Sequence, residues 1–511
     1  MKVNLLILTV LGLVAYVSGQ SHHDSARGAP FPQTGAVHDI ATCWLNAAFE
    51  HQKQSYGELL MTRGLPPPPE EQLSTALAND FPPGTLVLLY DYVAPWHNSQ
   101  SYESGQMVLY AGGMYKRSAA SSSDTGERPA NNKEQWELIQ SCEPNFNASD
   151  KQVLRAWLVS REGIEAYAAL PFSPESLNAA TRDLDRSLSL SFEGNRNAAR
   201  GFDLPAEPGQ GIAFESALDH LSNLLIPKTF WPVMKRFGDL IVVPQLAIAE
   251  VPFSLLRGPD GSPLVDTTAV WIGRNSTDLA GGEDTLRVNS GEWNAKAKYT
   301  FNAPLVVGNP AFHNTGSLYL PQLPGAEQEA RAVASIMHTA PLIGDEAGKA
   351  EVESRAGSAG EIYIATHGAA MPNDPLSGFL ALAGAPDESG RWTAKEIQSR
   401  DLSKTDLAVL SACQTGLGGV HAAGVIGVGR AFTLAGVRWV VMSLWNIDDK
   451  ATSELMQAFV SNLAGCETVH ACVPAQALRK AMLAERNSNS DPKSWGSFVV
   501  FGVPNGKRIH R

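Results

Sequence analysis

Three things are scarce in this chain: cysteine, clustered basic charge, and apolar runs long enough to cross a bilayer. Its five cysteines in 511 residues are an odd number, which excludes complete pairing; in an oxidising compartment one thiol is left over. A formal net charge of −12, with no basic cluster set against it, argues against a nucleic-acid partner. Beyond the first twenty residues no segment is both long and apolar enough to span a membrane. Metal-ligand spacing is missing too. His313, His338 and His470 are scattered and no phosphate-binding loop is visible, so no metal and no cofactor is expected. What is present is a 44% hydrophobic composition, enough at this length to bury roughly two or three cores.

The first residues read as an export signal. Lys2 supplies a short positive start, residues 5–17 an apolar core, and Val17-Ser18-Gly19 a small-residue cleavage site. The apolar core is short for a bilayer span. Residues 1–19 are therefore expected to be removed before Gln20, leaving a secreted or periplasmic chain with no stable membrane span; an uncleaved anchor is the alternative. Export gives the cysteines a meaning. Cys466 and Cys472 flank a short polar loop and are expected to form a local staple, while Cys43 and Cys142, both in the N-terminal region, would close a second bridge. That connectivity rests on proximity, since four cysteines allow other pairings. It leaves Cys413.

Residues 20–80 form an N-terminal segment. A polar stretch over 20–36 precedes a helix over 37–61, where Ile40, Trp44, Leu45, Ala48 and Phe49 recur at helical spacing; a proline break at 66–69 and a short helix over 70–79 follow. Residues 81–300 open with a strand over 86–90 and carry an insertion at 95–147, rich in Ser, Gly, Asn and aromatics, with a small hairpin around 107–110. Asn147 and Asn275 match the glycosylation sequon, which matters only in a host that glycosylates. From residue 153 the pattern alternates: a hairpin over 154–170, helices over 173–188 and 212–225, and buried strands over 240–244 and 305–310. A helix over 325–337, a glycine-rich helix over 424–435, a strand over 439–444 and a helix over 452–463 complete it. Such alternation specifies an α/β fold with a doubly wound, mostly parallel sheet flanked by helices.

Two strands stand out, because each ends on a reactive side chain. Ile362-Tyr363-Ile364-Ala365-Thr366-His367-Gly368 stops at a histidine, and Leu407-Ala408-Val409-Leu410-Ser411-Ala412-Cys413 at a cysteine. Both have the length and branching of buried parallel strands, whose chemistry collects beyond the carboxyl ends. A thiol beside an imidazole that can take its proton is the minimum equipment of a cysteine nucleophile. The plainer alternative makes Cys413 a small buried hydrophobe and His367 structural. The backbone amides of Gly368 and Cys413 are the natural oxyanion donors, and glycine at 368 lets the backbone approach a scissile carbonyl. No third member is evident, so a dyad is expected. His421 is a weaker candidate base, following a glycine-rich loop with no strand to fix it. Asp448 and Asp449 could point a carboxylate at a basic substrate residue, or cap the helix that follows them. Asp374 and Ser377 are substrate contacts or turn residues.

Six ordered blocks carry a resemblance. Val307-Gly308-Asn309-Pro310, Leu323-Pro324-Gly325-Ala326-Glu327 and Ala365-Thr366-His367-Gly368 are followed by Leu410-Ser411-Ala412-Cys413-Gln414-Thr415-Gly416. Ser443-Leu444-Trp445-Asn446-Ile447-Asp448-Asp449 and Trp495-Gly496-Ser497-Phe498-Val499-Val500-Phe501-Gly502 complete the series. Together they resemble the CHAT family of caspase-like proteins, related to separase, over residues 86–502. The resemblance implies a caspase-like fold with a pseudo-protease-like half (81–300) before a catalytic half (301–511). It also implies a cysteine-type endopeptidase that hydrolyses peptide bonds through a thioester, with His367 as general base, Cys413 as nucleophile, and a protein or peptide as substrate. The spacing agrees, since caspases place their histidine about 50 residues upstream of the cysteine. Family members usually carry tetratricopeptide repeats before this domain, and no repeat of that period is visible here. Partner, trigger and oligomeric state therefore do not carry over. A non-catalytic scaffold that keeps the fold, or a thiol amidase on the same dyad, is the alternative.

Overall fold

The computed structural model describes residues 35–61, 84–97, 100–111, 113–118, 128–142, 152–192, 213–273, 294–313, 319–385, 389–413, 415–421, 424–446 and 449–502. The export signal, the 70–79 helix and both sequons lie outside these residues, as does Asp448. The first elements among the described residues are helix α1 (Ala36–Met61) and β1 (Thr85–Tyr92). A three-stranded antiparallel sheet, β2 (Met107–Tyr110), β3 (Gly113–Arg117) and β4 (Trp136–Ser141), fills the expected insertion. The hairpin β5 (Val153–Ser160) and β6 (Gly163–Pro171), helices α2 (Pro174–Phe192), α3 (Phe214–Leu225) and α4 (Trp231–Met234), and strands β7 (Asp239–Val243) and β8 (Ala269–Ile272) follow.

Then come β9 (Leu305–Pro310), α5 (Pro324–Ile336), β10 (Leu342–Gly344), α6 (Lys349–Ala356) and β11 (Glu361–Ala365). Next are the short strands β12 (Gly368–Ala369), β13 (Phe379–Ala381) and β14 (Arg391–Thr393), helix α7 (Ala394–Gln398), and β15 (Leu407–Ser411). The chain continues with β16 (Gly419–His421), β17 (Gly424–Ile426), α8 (Val428–Leu434), β18 (Trp439–Ser443), α9 (Asp449–Ala464), α10 (Pro474–Ser488) and β19 (Phe498–Phe501).

One eleven-stranded sheet, ordered β10-β9-β11-β15-β18-β19-β8-β7-β1-β5-β6, carries the fold. Its inner strands pair in parallel; β5 and β6 at one edge, and β19 against β18, run antiparallel. Strands β7, β8, β9, β11, β15 and β18 are buried at every residue. Only helices on both faces permit that, which is why these strands read as unbroken apolar runs. Each fully buried Val, Leu or Ile contributes about 1.5–3 kcal/mol. The 324–336 helix is held to β11 by Tyr363, whose hydroxyl donates to buried Glu329 at 2.6 Å. α1 lies over the far end of the sheet, where Trp157 donates to the Ala41 carbonyl and the Arg155 guanidinium sits over the Trp44 ring.

One element differs from expectation. The 424–435 segment is not one helix: Gly424–Ile426 pairs with Gly419–His421 as an antiparallel hairpin, and the helix begins at Val428. Glycine resists helix by about 1 kcal/mol per residue, and the hairpin satisfies the same backbone groups. His421 consequently sits on a strand, in register with Gly424, rather than in an unpaired loop. The C-terminal strand β19 completes the seam, lying between β18 and β8.

Candidate active site

β11 and β15 are adjacent and parallel, with Ala365 opposite Ser411 and the Thr366 amide donating to the Ser411 carbonyl at 3.3 Å. Two residues beyond that register pair, each chain reaches its reactive side chain. His367 and Cys413 thus leave neighbouring strands at the same level of the same carboxyl-end rim. They are 1% and 0% exposed, respectively.

His367 is held from several directions. Its Nε2 lies 2.8 Å from the Pro321 carbonyl. A carbonyl oxygen only accepts, so Nε2 carries the hydrogen, and in the neutral ring Nδ1 is left as the basic nitrogen. The Phe312 ring packs on the imidazole with centroids 5.1 Å apart. Its backbone is clamped to β13, where the Ala381 amide donates to the His367 carbonyl at 2.9 Å and Thr366 Oγ1 donates to the Ala381 carbonyl at 2.6 Å. Antiparallel strands alternate between bonded and non-bonded pairs. With His367 bonded to Ala381, the next pair, Gly368 opposite Leu380, is non-bonded, and the Gly368 amide turns away from β13. A Cβ at Gly368 would sit 2.6 Å from the Cys413 carbonyl oxygen, so only glycine lets the two corners approach this closely.

The cysteine corner is tied to the next strand. Ser443 Oγ donates to the Ala412 carbonyl at 2.5 Å, the Ser443 amide donates to Thr415 Oγ1 at 3.1 Å, and the Gly416 amide donates to the Ser443 carbonyl at 2.8 Å. From the other half of the sheet, Glu250 Oε1 accepts from the Gly418 amide at 3.4 Å. Burial first, then repulsion from Asp185, pushes the Glu250 carboxyl up to about 8, against the opposing hydrogen bond from Gly418.

The remaining candidates separate. Asp449 is the first residue of α9, yet its carboxylate accepts from the Gly325 amide at 2.6 Å, at the N-terminus of α5. This contact ties the start of α9 to the start of α5. Gly325 is the second residue of α5, so its amide has no intrahelical acceptor, and the positive helix end attracts a carboxylate. Ser377 donates its hydroxyl to the Asp374 carboxylate, and the Ser377 amide donates to the Asp374 carbonyl at 2.9 Å; both residues are exposed and lock a turn. Cys43 joins Cys142 with Cα atoms 5.6 Å apart, and Cys466 joins Cys472 at 5.2 Å. Cys413 is outside both bridges. Sequence reasoning did not foresee Pro321, because its contribution is a main-chain carbonyl, nor Ser443 and Thr415, whose hydroxyls bond to backbone. No group of three or more His, Cys, Asp or Glu side chains among the described residues could hold a metal ion.

Residues 216–503, more than half of the chain, match the CHAT domain model. The chain belongs to the CHAT domain family. Tetratricopeptide repeat protein 28 of Homo sapiens is 26% identical over 306 residues, and its Mus musculus counterpart 27% over 304. Each match takes in 52% of this chain but only 12% of the relative's length. Among solved structures, the Arg-specific cysteine proteinase gingipain R aligns over 65% of this chain and 76% of its own, with a TM-score of 0.35 at 9% identity. Separase in the Saccharomyces cerevisiae separase–securin complex aligns over 64% and 22%, with a TM-score of 0.33 at 12% identity. The described residues of this CHAT chain form an α/β fold with a large, mostly parallel sheet flanked by helices.

Proposed function

We propose that this CHAT-family chain is a cysteine-type endopeptidase acting on a protein or peptide substrate, with residues 301–511 as the catalytic half and 81–300 as a pseudo-protease-like half. The observation that supports it is the register pairing of Ala365 with Ser411, which sets His367 and Cys413 side by side on one rim. Nδ1 of His367 takes the thiol proton as Cys413 Sγ attacks the scissile carbonyl. The amides of Gly368 and Cys413 donate to the oxyanion of the tetrahedral intermediate. Collapse breaks the C–N bond, the amine leaves with the proton from His367, and a thioester remains. Water, deprotonated by the same imidazole, then hydrolyses it and releases the thiol. The 1–19 segment and the two disulfides favour an exported site of action, secreted or periplasmic.

Complete burial of both side chains favours one second reading: a binding protein that keeps the fold. Labelling purified protein with a peptidyl electrophile that traps thiolates separates the two. The peptidase reading expects label on Cys413 in the wild type, none in Cys413→Ala, and a cleavage-site profile from a proteome digest. A wild type that neither labels nor cleaves defeats it.

A further inference from the structure

We infer that Asn309 is a positioning residue for the general base, acting on His367 through the 321–323 segment; this rests on the dyad reading above. Asn309 sits near the end of β9, next to β11. Its backbone φ is +43°, a left-handed conformation that few side chains other than asparagine adopt readily. The residue is 8% exposed. From that position Oδ1 accepts from the Leu323 amide at 2.7 Å and Nδ2 donates to Glu327 Oε2 at 3.3 Å. Both amide groups of the side chain are therefore spent on the turn that leads into α5.

Leu323 lies two residues from Pro321, whose carbonyl holds the histidine Nε2. Between them the chain reads Pro321-Gln322-Leu323-Pro324, with a ring fixing φ at each end. A stiff segment pinned at Leu323 transmits that pin to the Pro321 carbonyl. That carbonyl selects the tautomer that leaves Nδ1 basic, so the side chain of Asn309 sets which nitrogen faces the chemistry and at what angle. Gly308, just before it, permits the arrangement: a Cβ there would lie 2.3 Å from Ala330 Cβ, so glycine brings α5 and its leading turn against β9.

The test is the pH–rate profile of Cys413 alkylation by iodoacetamide in the full chain, followed by mass spectrometry, with thermal melting measured alongside. His367→Ala defines the profile of a thiol without its base, which climbs only toward the ordinary thiol range near about 8.5. Asn309→Gly keeps the left-handed backbone and deletes the side chain. It is expected to adopt the His367→Ala profile, with a neutral-pH rate lowered by up to about 100-fold, the scale of a 1 Å misplacement. The double variant Asn309→Asp/Glu327→Gln retains an oxygen for the Leu323 amide and restores a donor–acceptor pair at 327, and is expected to keep the wild-type profile. If Asn309→Gly does not fold, Asn309→Ser takes its place, since its hydroxyl falls one bond short. A wild-type profile in Asn309→Gly or Asn309→Ser, whatever the melting temperature, overturns the inference while the dyad stands. Identical profiles for wild type and His367→Ala overturn the dyad and this inference together.

Discussion

The two halves of the sheet build the same corner and fill it differently. In the later half, His367 and Cys413 lie two residues past the pair Ala365–Ser411. In the earlier half, Asp91 and Gln245 lie two residues past the pair Leu89–Val243 on the adjacent parallel strands β1 and β7. There the side chains satisfy each other: Gln245 Nε2 donates to Asp91 Oδ1 at 3.1 Å, and His51 Nδ1, from α1, donates to the same oxygen at 2.8 Å. The Tyr92 amide donates to Gln245 Oε1 at 2.5 Å. Asp91 and Gln245 are each 2% exposed and His51 is 9% exposed. Parallel topology therefore supplies a rim position, not a reaction. Chemistry needs a nucleophile and a base there, whereas carboxylate, carboxamide and imidazole together make a sealed polar anchor for a helix.

The largest test of that contrast removes the nucleophile. Cys413→Ser should abolish thiolate labelling and cleavage by several orders of magnitude with an unchanged circular dichroism spectrum, while Asp91→Asn leaves both activities in place. If Asp91→Asn also silences Cys413, the two corners are not independent. Next in size, Gly368→Ala forces its methyl onto the Cys413 carbonyl. It should slow Cys413 alkylation by about 100-fold through displacement of the corner, read from initial rates on folded protein.

A stability effect follows. Asp91→Ala leaves buried donors on His51 and Gln245 without an acceptor, which costs about 1–3 kcal/mol; urea denaturation should show it while Cys413 alkylation stays at the wild-type rate. A pH slope follows from Glu250. Its ordinary value is 4.5 and the folded chain raises it to about 8, so across that window the folded state holds a proton that the unfolded chain releases. Stability accordingly falls as pH rises from 4.5 to 8, and Glu250→Gln should flatten that part of the melting curve. The slope has the same sign at His470, raised from 6.5 chiefly by its hydrogen bond to Asp239. The stability it contributes is fully present below 6.5 and disappears as pH rises through the folded value. His470→Gln should remove that limb.

Much of the fold was legible because its signals are local. Ile362-Tyr363-Ile364-Ala365 and Leu407-Ala408-Val409-Leu410 are apolar over a full strand length, and only burial on both faces accounts for that. The 37–61 helix announces itself through Trp44, Leu45 and Ala48 at helical spacing, and these are buried as that spacing requires. The 424–435 segment misled because its helical residues and its glycines overlap, and the pairing of Gly419–His421 with Gly424–Ile426 overrode propensity. Asp449 shows another limit: no local pattern announces that its carboxylate accepts from the Gly325 amide, 124 positions away.

By itself, then, the sequence determined which segments are buried strands and which residue types stand at their ends, because apolar periodicity and a terminal His or Cys are written in consecutive residues. Tertiary structure alone decided that β11 and β15 are neighbours in register, although three short strands separate them along the chain. It also brought the Pro321 carbonyl to His367 across 46 residues, and placed β19 between β18 and β8. Every residue carries the same carbonyl and, proline apart, the same amide. Which of them meets a given side chain is settled by the packing of elements distant in sequence, and no local pattern records it.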